Sequence, residues 1–202
     1  MLFIAAFLAS SLATLALGWP IFPLPCSPLS GTPCKCPEGT DYAESSTVAM
    51  IGASAGNVGW LMNNFFVTSW TGVEPSMTWN SDNIPLLSKR EIIYPTEVGN
   101  VTIPEQLITR LPYLDGSFET TYQQKGIVPF VSGNGSFTGH WTTLKGTRRF
   151  ENQTLVEWYS YSCDTGYPRN FAAFRENALR NATVILNNLG LLSGLSTIPQ
   201  SI

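Results

Sequence analysis

Few residues in this chain could do chemistry, and the most telling is an arginine in an otherwise apolar setting. The segment from Phe171 to Leu189, "FAAFRENALRNATVILNNL", has helical spacing: Phe171, Phe174, Ala178, Ala182, Ile185 and Leu189 share one arc, and Leu179 and Leu186 widen it on one side. Arg175 falls roughly 40–50° from the centre of that arc, which turns a permanent cation toward whatever the helix covers. Two readings stand. Either the guanidinium snorkels to the helix edge, or it enters a cavity and meets Glu105 or Glu157, because an unpaired buried charge is costly.

The carboxylates and aromatics that could join it are placed by strand parity. Four N-x-S/T sequons occur, at Asn100, Asn134, Asn152 and Asn181, and a glycan must face solvent. Side chains alternate across a strand. An outward Asn100 therefore turns Val101, Ile103, Glu105 and Leu107 inward. An outward Asn134 does the same for Phe137, Gly139, Trp141 and Thr143, and an outward Asn152 for Leu155, Glu157, Tyr159 and Tyr161. A bulge or turn between acceptor and strand reverses the assignment, and Asn152 lies close to a turn. His140, the only histidine, has outward parity and no evident Ser or Cys partner, so a surface or packing role is expected of it. No Ser-His-Asp, Walker, dinucleotide or metal-binding pattern is present.

Cys26, Cys34, Cys36 and Cys163 form an even set, read as two disulfides. A Cys34–Cys36 bond would close a strained ring, so Cys26 is expected to join one of these two and Cys163 the other. Zinc is the competing reading, but "CKC" lacks the usual spacer. Residues 1–18, within "MLFIAAFLASSLATLALGW", read as a cleaved signal peptide; an uncleaved anchor is the alternative. Signal, sequons and cysteines together predict a secreted protein with no stable membrane insertion after cleavage. A net charge of −3 and the lack of any Lys/Arg cluster argue against nucleic acid as a partner.

These groups must be positioned by one domain, since 202 residues at 44% hydrophobic and 12% charged suffice for a single core. "STVAMIGAS" reads as a strand and "AGNVGWLMNNFF" as a short helix. Between Met77 and Cys163 short Val/Ile/Thr/aromatic segments, punctuated by "LDGS", "SGNGS" and "KGT", read as an antiparallel meander of about six strands. The long helix then runs to Gly190. This is an α+β order. The boundaries expected are 1–18 signal peptide, 19–45 Cys/Pro-rich arm, 46–192 ligand-binding domain and 193–202 tail. Trp60, Trp70 and Trp79 are expected in the core.

From Ser46 to Leu189 the order and spacing of "TVAMIGASAGNVGWLMNNFFVTSW", "VTIPEQLITRLPYLDGSF" and "TLVEWYSYSCDTGYPRNFAAFRENALRNATVILNNL" resemble the START-like, helix-grip family. That family includes birch-pollen allergens, plant abscisic-acid receptors and bacterial polyketide cyclases/dehydratases. The resemblance implies a curved antiparallel sheet of about six or seven strands gripping the C-terminal helix around an internal apolar cavity. It places Glu105, Phe137, Tyr159 and Phe171 on the cavity wall, where Tyr122, Trp141, Glu157 and Leu179 are also expected to meet a ligand. The hormone receptors' gate and latch signatures have no counterpart near Tyr94 to Gly99 or Lys125 to Val128, which argues against that role. The implied function is a cofactor-independent cyclase or pericyclase of secondary metabolism acting on a hydrophobic polyketide or terpenoid, with Arg175 or Tyr159 polarising a carbonyl and Glu105 orienting it or moving a proton. Small secreted proteins of this kind also resemble candidate hetero-Diels-Alderases that join a tropolone quinone methide to a humulene-type terpene. The alternatives are an extracellular carrier of the same ligands and a secreted interaction protein with an incidental cavity.

Overall fold

The computed structural model describes residues 36–96, 99–130, 135–166 and 171–202. Residues 1–35, with the expected signal peptide, Cys26 and Cys34, lie outside these, as does Asn134.

Among the described residues nine strands form one antiparallel sheet: β1 Asp41–Ile51, β2 Pro75–Trp79, β3 Lys89–Thr96, β4 Gly99–Pro112, β5 Phe118–Gln124, β6 Val128–Pro129, β7 Gly135–Phe150, β8 Gln153–Gly166 and β9 Gln200–Ser201. Their order is β2-β3-β4-β5-β7-β8-β1-β9, with β6 pairing onto β7. Seven strands are long and two have only two residues, so the expected six or seven are joined by a pair of short edges. The chain meanders from β2 to β8, and β1 then receives β8 along its whole length, Asp41 opposite Asp164 through Ile51 opposite Thr154.

Among the described residues two α-helices lie against this sheet. Helix α1, Ala55–Met62, starts at Ser54, whose hydroxyl accepts the Asn57 amide at 3.3 Å and so satisfies one orphan donor of the first turn. Helix α2, Ala172–Asn188, ends as the sequence predicts: Gly190 adopts φ +70° and lets the Leu191 amide reach back to the Leu186 carbonyl at 2.9 Å. Its buried face is Arg175, Ala178, Leu179, Ala182 and Leu186. The two alanines let the helix lie close over Ala49 and Ile51 of β1 and Val156 and Trp158 of β8, while α1 contributes Val58, Leu61 and Met62 to the same core. A second apolar cluster, Val101, Ile103, Val128, Phe130 and Phe137 with Tyr94 and Phe171 against it, forms separately.

Several expectations need correction. The residues assigned to a tail belong to the fold: Thr197 donates its amide to Met50 O at 2.9 Å, Gln200 and Ser201 pair with β1, and a Cβ on Gly52 would overlap the Gly194 backbone. The folded unit therefore begins before residue 46 and runs past 192. Trp70 is buried and packs on Trp158 at 5.2 Å between centroids, but Trp60 and Trp79 are 65% and 44% exposed. Of the two partners left open for Cys163, Cys36 is the one bonded, with Cα atoms 5.4 Å apart across 127 residues. No described helix is long and apolar enough to cross a membrane.

Asn100 and Asn152 are exposed. Asn181 is not free in the same way. Its amide nitrogen donates to the carbonyls of Ser69 and Trp70 at 3.2 and 3.1 Å, clamping α2 to the 3-10 turn Ser69–Thr71. A glycan would replace one hydrogen on that nitrogen and intrude on the contact. Glycopeptide mapping of the protein expressed through a secretory pathway is expected to find Asn181 unoccupied; full occupancy there would contradict this packing.

Candidate functional site

The sheet and α2 enclose a cleft whose wall is set by two parity reversals. In β7 the register against β8 shifts between Phe137 and Gly139. Phe137 points inward, as counted from Asn134, but the extra residue after it turns His140, Thr142 and Leu144 inward in place of Trp141 and Thr143. Trp141 lands on the outer face, where it covers Gly139; a side chain at Gly139 would collide with its indole. In β8, Asn152 sits in the turn before the strand and carries no phase into it. Thr154, Val156, Trp158 and Ser160 are the buried set, and Glu157 and Tyr159 point outward, the Tyr159 hydroxyl donating to Glu157 at 2.7 Å. That bond, with some burial, pushes the Tyr159 phenol up to about 12. Trp141, Glu157 and Tyr159 therefore do not line the cleft.

Arg175 does. It is 2% exposed, its Nε donates to the Thr47 hydroxyl at 2.9 Å and one terminal nitrogen to the Ser45 hydroxyl at 2.7 Å. The register of β1 explains this, since Ser45 and Thr47 alternate onto the face that α2 covers. Neither carboxylate expected from sequence meets it, and among the described residues the ion pairs are Arg90–Glu105 and Glu176–Arg180. Burial without a carboxylate partner lowers the Arg175 guanidinium to about 10. A charge at this depth normally has an anionic partner, and here two neutral hydroxyls take that place.

Beside it is His140, whose Nε2 lies 2.8 Å from the Ser160 hydroxyl. Burial first, then the nearby Arg175 charge, depress the imidazole to about 4, so it is neutral at physiological pH. Arg175, His140, Ser160 and Phe171 line both a small inner pocket and a wider outer cleft of about 440 Å³. The inner pocket, closed by Tyr94, Tyr122 and Trp158, has about 20 Å³ of free space, room for roughly one water. Phe137 lines the outer cleft. Leu179 lines neither and sits fully buried in the main core.

Glu105 is also engaged elsewhere. It faces Arg90 across the β3–β4 pair, and the Arg90 Nε and a terminal nitrogen both approach one Glu105 oxygen at 2.7 Å. Arg90 donates as well to the Phe65 carbonyl, and its guanidinium stacks 4.2 Å from the Phe65 ring and 4.8 Å from the Tyr122 ring. Tyr94 adds a long hydroxyl bond of 3.5 Å to the other oxygen. Desolvation raises the Glu105 carboxyl, and Arg90 opposes the rise.

Sequence reasoning missed Arg90, His140 and Ser160. Arg90 is in phase with Ile92 and Tyr94 along β3 and opposite Glu105, a signal available once the hairpin is paired; the bulge that turns His140 inward has no such mark. Among the described residues no group of three or more His, Cys, Asp or Glu is placed to hold a metal ion.

Asp164, on β8 next to Cys163, is 1% exposed, with one oxygen accepting from Ser162 at 2.9 Å and the other unpartnered. Burial, and secondarily Asp41, raise its pKa from 3.8 to about 6 against the lowering effect of the Ser162 hydrogen bond. The folded state thus holds this proton more tightly than the unfolded state, and stability falls as pH rises from about 4 to about 6. Asp164→Asn is expected to be more stable than the parent by about 1–2 kcal/mol at pH 7.5, with no difference below about pH 4, in denaturant titrations.

A sheet gripping a long terminal helix around a cleft defines the helix-grip class. A family model described as START domain matches residues 42–202, and the chain belongs to that family. No curated protein matches it by sequence. Among solved structures it is similar to norcoclaurine synthase from Thalictrum flavum in complex with dopamine and hydroxybenzaldehyde, at TM-score 0.54 and 8% identity over 74% of this chain and 89% of that one. It is similar to the di-domain ARO/CYC StfQ of the steffimycin biosynthetic pathway, at 0.53 and 14% over 74% and 52%. XoxI from Bacillus cereus matches at 0.53 and 19% over 73% and 98%. At these identities the likeness is one of fold.

Proposed function

We propose that this START domain is a secreted, cofactor-independent cyclase or pericyclase that holds a hydrophobic polyketide or terpenoid in the cleft and directs its ring closure. The observation that carries the reading is Arg175: a buried guanidinium, aimed by Thr47 and Ser45 and short of a carboxylate, at the wall shared by both pockets. It can donate to a carbonyl oxygen and stabilise charge that develops there. The aromatic wall of Tyr94, Tyr122, Phe137 and Phe171 would fix the rest of the substrate, and such alignment can supply several kcal/mol, up to about 7–11 in ideal cases. The Cys36–Cys163 bond supports an oxidising compartment.

The titration behaviour of the cleft favours a pericyclic closure, such as a hetero-Diels-Alder addition, over acid–base chemistry. His140 is neutral above about pH 4 and Arg175 is charged below about pH 10, while Tyr94 and Tyr122 are pushed upward by burial. A reaction needing only a fixed hydrogen-bond donor should then be flat from about pH 5 to 9, with no bell. The test is product composition from a reactive polyketide–terpenoid mixture with trace protein. Substoichiometric protein that changes the product ratio supports catalysis; a shift only in proportion to protein added identifies a carrier instead.

A further inference from the structure

Beyond the partition of Tyr94, Tyr122 and Trp158, all three of which line both sides, lies a second inner space of about 20 Å³. Its wall includes Thr68, Phe65, Trp70 and the Arg90 side of the ion pair. The hydroxyl of Thr68 has no hydrogen-bond partner although the residue is 3% exposed. It is not serving as a helix cap: Thr68 precedes the Ser69–Thr71 turn, and its side chain makes no capping bond. A buried, unsatisfied hydroxyl is destabilising, and its retention calls for a role. Of the other polar groups here, Arg90 is committed to Glu105 and the Phe65 carbonyl, the Trp70 indole to Val67 O at 3.0 Å, the Thr71 hydroxyl to Thr68 O at 2.7 Å and the Thr120 hydroxyl to Asn63 at 2.6 Å. With the ion pair balanced, this space carries no net charge and presents the Thr68 hydroxyl.

We propose that the two spaces are one bipartite chamber, divided by Tyr94, and that the distal part binds the neutral oxygenated end of an elongated hydrophobic ligand through the Thr68 hydroxyl. The proposal rests on the ligand-binding reading above, with Arg175 holding the near end. Tyr94 is the member of the partition that can move: Tyr122 and Trp158 are 6% and 4% exposed in mid-strand, whereas Tyr94 is half-buried and its hydroxyl is held by a single long bond. Its swing would merge the two spaces without disturbing the Arg90–Glu105 bonds. The ligand class follows: an apolar chain with an acceptor oxygen at the near end and an alcohol, ketone or epoxide oxygen at the far end.

The test titrates unbranched alkanoates of about eight to fourteen carbons, and their ω-hydroxy counterparts, into wild type, Thr68→Val and Tyr94→Ala. Burying a terminal hydroxyl without a partner costs affinity. In wild type, at the length that reaches Thr68, the ω-hydroxy acid is expected to bind about tenfold tighter than the plain acid. Thr68→Val should reverse that order and unfold at the same or higher temperature, since an orphaned hydroxyl has been removed. Tyr94→Ala should broaden the range of lengths accepted. If the ω-hydroxyl is disfavoured at every length, or the preference survives in Thr68→Val, the distal site is refuted while the near site stands. If no alkanoate binds wild type at all, the ligand-binding reading falls and this one with it.

Discussion

Glu105→Gln is expected to lose about 3–5 kcal/mol of folding stability, the penalty for leaving one member of a buried ion pair uncompensated. The substitution keeps the shape of the side chain but strands Arg90, whose guanidinium is bonded to Glu105 and the Phe65 carbonyl and sandwiched between the Phe65 and Tyr122 rings. At neutral pH Arg90 cannot shed its proton to escape. At roughly 2–4 °C per kcal/mol for a chain of this size, the thermal midpoint should fall by about 10 °C. Replacing both members together, Arg90→Met with Glu105→Leu, should recover most of the loss, because a well-packed apolar pair is often no worse than a buried ionic one. A Glu105→Gln protein as stable as the parent would mean the pair is not structural and would restore Glu105 as a candidate for proton transfer.

The second large effect is expected at Arg175 and has the opposite signature. Arg175→Met should leave the thermal midpoint unchanged or raise it, since the guanidinium is desolvated and its partners, Ser45 and Thr47, are neutral. The same change should reduce product selectivity by about 10²–10³-fold, the usual cost of deleting one preorganised donor from a dry site. Stability gained and function lost together mark a residue kept for its chemistry. A variant that unfolds readily and, where folded, keeps its selectivity would assign Arg175 to the scaffold.

The contrast between the two arginines shows what could be read in advance. The inward aim of Arg175 was legible because helical spacing fixes direction for every residue of an unbroken helix. Its partners were not, because Ser45 and Thr47 lie on β1 some 130 residues away in sequence, and only the sheet order brings them under α2. On the strands, parity carried outward from Asn100 agrees with the burial of Val101, Ile103 and Glu105, where β4 runs without interruption. It failed in β7, where one extra residue exchanged Trp141 for His140, and in β8, where the turn at Asn152 exchanged Tyr159 and Glu157 for Trp158 and Ser160. A period of two tolerates no slip. Long-range order was clear from the sequence, whereas single-residue faults that leave no compositional trace were not.

Isothermal titration of dodecanoate and dodecanol into wild type and Arg175→Met asks whether Arg175 is a cation presented to a ligand. Wild type is expected to prefer the carboxylate by about tenfold or more, and folded Arg175→Met to bind the two alike. Equal preference for the carboxylate in both proteins would contradict it.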